Sequence, residues 1–371
     1  MASDVLSARA LGRATLARQH LLARTDRPVL DVVAHLVGLQ AQVPLDPYTA
    51  LWSRVDGFRP EALADGLVAR DVVRIVVMRG TIHLVTAEDC LLLRPLMQPV
   101  LDAELRRHRD AAPALEGVDL APVLAYAAAT LAEEPLAGSA LRAVLAERFP
   151  GRDPAALALA CRCRLALVQV PPRGVWGATS QVRLATAESW LGRPLARRPS
   201  LDDVVLRYVA AFGPATVADV TTWCRLTGLR EVVERLRPRL RAFRAEDGRE
   251  LFDLPEAPRP DPDTPAPVRF LPEYDNVLLS HAERSRVFLE RSRPALGRSW
   301  RIGHGSVLHD GVVCGVWRPE RPKAGPVILA VTLAERLPRR ATASIEAEGR
   351  RLLCFLAPDV TRREVAVRVA D

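Results

Sequence analysis

Gln40-Ala41-Gln42 places two neutral amides one residue apart. An amide cannot remove a proton, but its carbonyl oxygen accepts a hydrogen bond and its NH2 group donates. Two of them at this spacing can hold a water molecule in a fixed direction. By spacing alone the pair equally fits a helix end or a polar surface. The other candidates are basic. Arg79 and His83 flank a short turn. Arg291, Arg293, Arg298 and Arg301 follow one another with no acid between them. His309, Asp310 and Gly311 form a hairpin turn, with Arg318 shortly after it. Arginines in such a run suit phosphate contacts, and a solvated face is the competing reading. His35, five positions before Gln40, reads as core or helix surface.

What is missing narrows the chemistry. Among 371 residues, 52 are Lys or Arg and 44 are Asp or Glu, a net charge of +8, yet Lys323 is the only lysine. A mechanism that needs an amine for a Schiff base, or a lysine on a phosphate, has one candidate. The six cysteines form no Cys-x-x-Cys pair, so neither a zinc site nor a cluster is expected, and reduced buried thiols in a cytoplasm are. No metal or other cofactor is implied. No apolar run reaches the roughly 18 residues of a membrane span, and no secretory leader is expected. The positive charge favours an anionic partner, nucleic acid first.

The elements that would position these residues recur as helices followed by a two-stranded hairpin. The expected organisation is α+β: three tandem winged helix-turn-helix units and a C-terminal β-rich segment, in a C-shaped arrangement. Residues 1–116 hold the first unit, with a helix from Ser3 or Asp4 to Arg24, helices Val29–Val37, Tyr48–Val55 and Pro60–Ala69, a wing over Val72–Val85, and a long linking helix from Thr86 towards Arg109. Residues 117–199 hold the second. Residues 200–254 hold the third, where Leu201–Phe212, Val217–Arg225 and Leu229–Leu240 precede a hairpin turning at Asp247-Gly248. Six prolines in Pro255–Pro267 make a stiff connector. Residues 268–371 read as strands Val268–Leu271, Val277–Leu279 and Val327–Leu333, the hairpin at Asp310-Gly311, helix Ala341–Leu356 and strand Glu364–Val369. Three unlike units lack the two-fold symmetry of a regulator on a palindromic site, and no oligomerisation helix is evident, so a monomer is expected. A DNA-binding regulator and a protein scaffold remain alternatives on fold and charge alone.

Three stretches in order resemble the AlkZ/YcaQ family of winged-helix DNA glycosylases. They are Gly38-Leu39-Gln40-Ala41-Gln42-Val43-Pro44, Met78-Arg79-Gly80-Thr81-Ile82-His83-Leu84, and Leu271-Pro272-Glu273-Tyr274-Asp275-Asn276-Val277-Leu278-Leu279-Ser280-His281, the last followed by the Asp310-Gly311 hairpin and Trp317-Arg318. The resemblance spans residues 5 to 370. Gln42, where other members carry Asp, places it with the AlkZ-type branch. It implies excision of N-alkylated purines from double-stranded DNA, and unhooking of interstrand crosslinks as self-resistance to an alkylating natural product. Gln40 and Gln42 would be catalytic, with Arg79, His83, the arginines at 291, 293, 298 and 301, the hairpin tip and Arg318 on the DNA. With the single lysine, Lys323, in the turn-like stretch Arg321–Pro326, a monofunctional enzyme that leaves an abasic site is expected.

Overall fold

A computed structural model describes residues 5–289, 292–296, 303–322 and 325–370. The chain opens with β1 (Val5–Leu6) and α1 (Ala8–Arg18). The Ser7 hydroxyl caps α1 by accepting from the Ala10 amide, so the helix starts later than Ser3 or Asp4. It ends at Arg18, six residues short of Arg24, because His20 takes a positive φ of 55° and the chain turns. Helices α2 (Val29–His35), α3 (Asp46–Arg54) and α4 (Pro60–Ala69) follow, with β2 (Leu39–Gln40) between the first two. The hairpin expected as a wing is β3 (Val72–Val76) and β4 (Ile82–Thr86). The long linking helix is in fact two, α5 (Ala87–Leu96) and α6 (Gln98–Arg107). Pro95 and Pro99 each lack an amide to donate, and the helix breaks between them.

The second unit comprises α7 (Ala111–Ala114), α8 (Ala121–Glu133), β5 (Leu136–Ala137), α9 (Gly138–Arg148), α10 (Pro154–Arg164), β6 (Leu167–Gln169), β7 (Arg183–Thr186) and α11 (Ala187–Leu191). The third comprises α12 (Leu201–Phe212), α13 (Val217–Cys224), α14 (Leu229–Leu236) and the hairpin β8 (Arg241–Ala245)–β9 (Glu250–Asp253). Thr216 and Asp219 form a reciprocal capping box at α13. After the proline-rich connector come β10 (Arg269–Leu271), α15 (Asn276–Leu279), α16 (Arg293–Leu296), β11 (Gly305–His309), β12 (Val312–Glu320), β13 (Val327–Leu333), α17 (Arg339–Leu356) and β14 (Arg363–Val369). Residues 277–279, read as a strand, are helical: the Asp275 carboxylate caps them by accepting from the Val277 amide. A run of three apolar residues carries no periodicity to separate the two states.

The sheets join what the sequence divides. The first two hairpins, β3–β4 and β6–β7, join with β2 and β5 in one six-stranded sheet, β2-β4-β3-β6-β7-β5, with β3 paired antiparallel to β6 through Arg74 opposite Gln169. The third hairpin adds β1 in parallel to β8. The C-terminal segment is a five-stranded sheet, β10-β11-β12-β13-β14, whose last pair is parallel and crossed over by α17. One apolar core runs from the shared sheet into the third unit through Ile75, Val168, Tyr208, Phe212 and Trp223. A second joins α2–α4 to the C-terminal sheet through Val32, Tyr48, Leu51, Phe270 and Ile345.

Between these cores lie buried ion pairs. Arg54 on α3 grips Asp275 with both nitrogens, at 2.8 and 2.9 Å, and both side chains are fully buried. Arg18 grips Asp253 in the same way, at 2.6 and 2.8 Å. Removing one partner leaves the other charge buried alone. Arg54→Ala should therefore cost about 3–5 kcal/mol. The exposed pair Arg27–Asp31 is a control, and Arg27→Ala should cost under about 0.5 kcal/mol. Urea midpoints compare them, and equal midpoints for the two variants would exclude a structural role for the buried pair.

Candidate nucleic-acid site

Gln40 is placed by the end of α2. Val37 and Gly38 take positive φ values of 54° and 93°, which reverses the chain into β2. A Cβ on Gly38 would lie 2.7 Å from Val85 Cγ1 and 3.0 Å from the Leu84 carbonyl, so this turn needs glycine for space and for conformation. Asn276 donates its side-chain amide to the Gly38 carbonyl at 2.8 Å. The third motif stretch thus supports the first. β2 then pairs antiparallel with β4, Gln40 opposite His83. Ala41 points the other way and is fully buried, and its carbonyl accepts from Arg74 at 2.9 Å. Gln42 is exposed at the rim, its Oε1 3.4 Å from the Ile82 amide. Val43 and Leu45 beside it also expose apolar surface.

Arg79 connects the parts. It occupies the turn between β3 and β4 at a φ of 59°, a left-handed conformation that favours glycine. From there Nη2 donates to Gln40 Oε1 at 2.6 Å and to His83 Nε2 at 3.2 Å, while Nη1 donates to the Trp223 carbonyl at 2.8 Å. His83 Nδ1 lies 3.0 Å from the Thr81 carbonyl and donates to it. The imidazole is therefore neutral, and burial holds its pKa down at about 3, with the Arg79 charge adding to the effect. Arg79 itself is lowered to about 10, by burial first and then by the Arg225 guanidinium. Among the described residues no carboxylate pairs with Arg79, and the Gln40 Nε2 makes no hydrogen bond.

The structure thus brings Gln40, Arg79 and His83 together, with Gln42 two residues along the same edge. The hairpin tip is another matter. Asp310 accepts from Arg9 Nη1 at 2.7 Å and also from Arg13, and Gly311 packs on Arg13 and Leu16. The tip was expected to contact DNA; the turn docks on α1, where Arg9 and Arg13 supply the charge that Asp310 needs. His309 stands at the end of β11 beside it. Arg318 is exposed, donates to Glu320, and lines a cavity of about 750 Å³ with Val43, Asp46, Trp176 and Glu273. The positions 291, 298 and 301, and Lys323, lie outside the described residues. Arg293 begins α16, and its side chain is likewise outside them.

Two features had no signal in the motif. Asp46 lies at the start of α3, four residues after Gln42, and burial and then the Glu273 charge raise its pKa to about 7. A second cleft, of about 840 Å³, opens beside Arg79 and is lined by Arg106, Arg107, Arg109 and Arg225. Neither follows from sequence spacing, because each depends on which elements meet. The arginine surplus is also less of a surface feature than its count suggests. Arg13, Arg18, Arg54, Arg74, Arg94, Arg269 and Arg286 are all buried.

With this geometry in hand, the family described as DNA glycosylase AlkZ-like matches residues 33–355. Among solved structures the chain is similar to Streptomyces sahachiroi DNA glycosylase AlkZ, with a TM-score of 0.68 and 24% sequence identity over 98% of this chain and 100% of that one. At that identity the likeness is one of fold. No curated protein matches.

The neutral His83 has a pH signature. Its pKa is about 3 in the folded protein against an ordinary 6.5. Between these values the unfolded chain holds a proton that the folded chain does not. Stability therefore rises with pH across the window and is lost as pH falls from about 6.5 towards 3. His83→Gln removes this group, so the variant should lose less stability than the parent between about pH 7 and about pH 5. Equal losses in urea denaturation at the two pH values would show that His83 is charged in the fold.

Proposed function

Because this chain belongs to the AlkZ-like family of DNA glycosylases, we propose that it hydrolyses the N-glycosidic bond of cationic N-alkylpurines in double-stranded DNA. The supporting observation is the Gln40–Arg79–His83 constellation with Gln42 exposed beside it. Arg79 fixes the Gln40 amide with its oxygen towards the guanidinium. A carbonyl oxygen has two lone pairs, so one remains for a water, and the unpaired NH2 can donate to substrate. Gln42, exposed at the rim, supplies a second contact to the same water. The two amides hold that water in line with C1′ of the lesion, which is catalysis by position.

Neutral amides suffice only for a good leaving group. A purine alkylated at N7 or N3 carries a formal positive charge, so breaking its bond to C1′ releases a neutral base. The electron pair of the broken bond goes to the base, and water adds to the sugar and loses a proton. Uracil and 8-oxoguanine lack that charge and should not be released. No lysine is needed, so the product is an abasic site with the strand intact. A base tethered to the opposite strand cannot be flipped into a closed pocket. An open surface across the helical units would admit such a crosslink, and unhooking it would protect a producer of alkylating natural products. The exposed apolar Val43 and Leu45 beside Gln42 suit contact with a base left in or near the duplex.

In single-turnover release of 7-methylguanine, Gln40→Ala and Gln42→Ala should each slow the reaction by about 10²-fold, and the double variant should not multiply the two losses. Borohydride should trap no covalent DNA adduct. A double variant with near-parental rate and intact DNA binding would overturn the assignment of the two glutamines. Tight binding to one sequence, with no base release by the parent, would identify a regulator instead.

A further inference from the structure

Among the described residues, Arg79 is a half-buried cation with no anion in contact. Its guanidinium touches an amide oxygen, an imidazole nitrogen and a backbone carbonyl, and among the described residues no carboxylate lies in contact with it. A charge in that setting is costly unless something negative completes it. The side chain also borders the cleft of about 840 Å³ between the first wing, the end of α6 and the turn joining α13 to α14. Arg106, Arg107 and Arg109 come from the α6 end, and Arg225 from the α13–α14 turn. These four are exposed, and among the described residues their side chains make no hydrogen bond or ion pair. Elsewhere in the chain arginines find acids readily: Arg193 with Glu88, Arg235 with Asp202, Arg237 with Glu234 and Glu250. The one acid in the cleft, Glu104, has no ion pair with any of them. Arg225, like Arg79, stands at a positive φ, 63°, where a glycine would be easier.

We propose that this cleft seats the DNA backbone beside the lesion, and that one phosphate in it supplies the counter-charge of Arg79 and so orients the Gln40 amide. The inference rests on duplex DNA being the substrate. Guanidinium forks suit phosphate oxygens, and a row of unpaired arginines along a cleft suits a polyanion better than a single small anion. Arg79 is a positioning residue here. It holds Gln40 from one side and the backbone from the other, so a phosphate in the right register steadies the amide that orients water. Bound DNA in the wrong register leaves Arg79 without its anion and the amide less well held.

Two measurements test this on the full chain. The first is the salt dependence of binding to an undamaged duplex of about 25 base pairs, between about 50 and about 200 mM salt. Each lost phosphate contact should lower the slope of log K against log salt by about 0.9. The double variant Arg106→Gln/Arg107→Gln and the single variant Arg225→Asn should therefore show shallower slopes and weaker binding. Arg152→Gln, an exposed arginine outside the cleft, should match the parent. Cleft variants with the parental slope and affinity would overturn the cleft as a phosphate site.

The second is release of 7-methylguanine from duplexes carrying one neutral methylphosphonate at successive positions around the lesion. For the parent, one position should slow single-turnover release by about tenfold or more. In Arg79→Gln the same methylphosphonate should cost less than about twofold, because its partner charge is gone. Equal losses in both proteins would mean that Arg79 and the phosphate act independently, and would overturn the coupling. If the parent releases no base while the cleft variants still lose salt slope, the catalytic reading falls and the cleft stands.

Discussion

The arrangement depends on a charge placed where water cannot reach. Arg54 leaves α3 towards the C-terminal segment, and Asp275 meets it with both oxygens while also capping α15. The remaining contacts of Arg54 go to the Ala50 carbonyl and to Gln19, whose own amide donates to Ala211 in the third unit. One guanidinium therefore sets α1, α3, α12 and the α15 turn relative to one another. Asn276, next in the chain, holds the Gly38 carbonyl, two residues before Gln40. A short path of contacts therefore links the buried ion pair to the strand that carries Gln40. Apolar contacts tolerate sliding, but a planar two-point fork does not. This gives the near-absence of lysine a structural meaning: an ammonium is a point charge and would leave the angle between the units free.

Local signals were readable where they are strong. Thr86 and Thr216 each cap the helix that their sequence position announces, and Asp310-Gly311 turns the hairpin it suggests. Errors came where a short stretch has two solutions. Val277–Leu279 is apolar either way, and the Asp275 cap decides for helix. Ser7 prevails over Ser3 and Asp4 because α1 begins only after β1 has paired with β8, which lies more than two hundred residues away. The merging of two hairpins into one sheet could not be read at all, since edge strands carry no address for their partner.

The site divides along the same line. Gln40 and Gln42 stood out by residue type, spacing and family resemblance. Arg79 and His83 also stood out, as DNA contacts. Their bonds to Gln40 follow from the register that sets Gln40 opposite His83, and from the left-handed turn that swings Arg79 back across the strand. Such a triad is a property of pairing between segments about forty residues apart. The basic cleft needs even more, because α6 and the α13–α14 turn share no local pattern.

The seam between β3 and β6 has a mechanical consequence. It makes the first two helical units one plate, with Ile75 and Val168 paired at its centre and buried on both sides. Such a plate cannot hinge without breaking its ladder, so on the proposed function a duplex bound against it would have to do the bending. On the proposed function, a lesion would then be distinguished by a lower cost of deforming the DNA around it rather than by closure of the protein. A step weakened by a charged base, or distorted by a crosslink, deforms more easily than an intact one. A rigid surface can thus find damage by the ease with which the duplex yields to it.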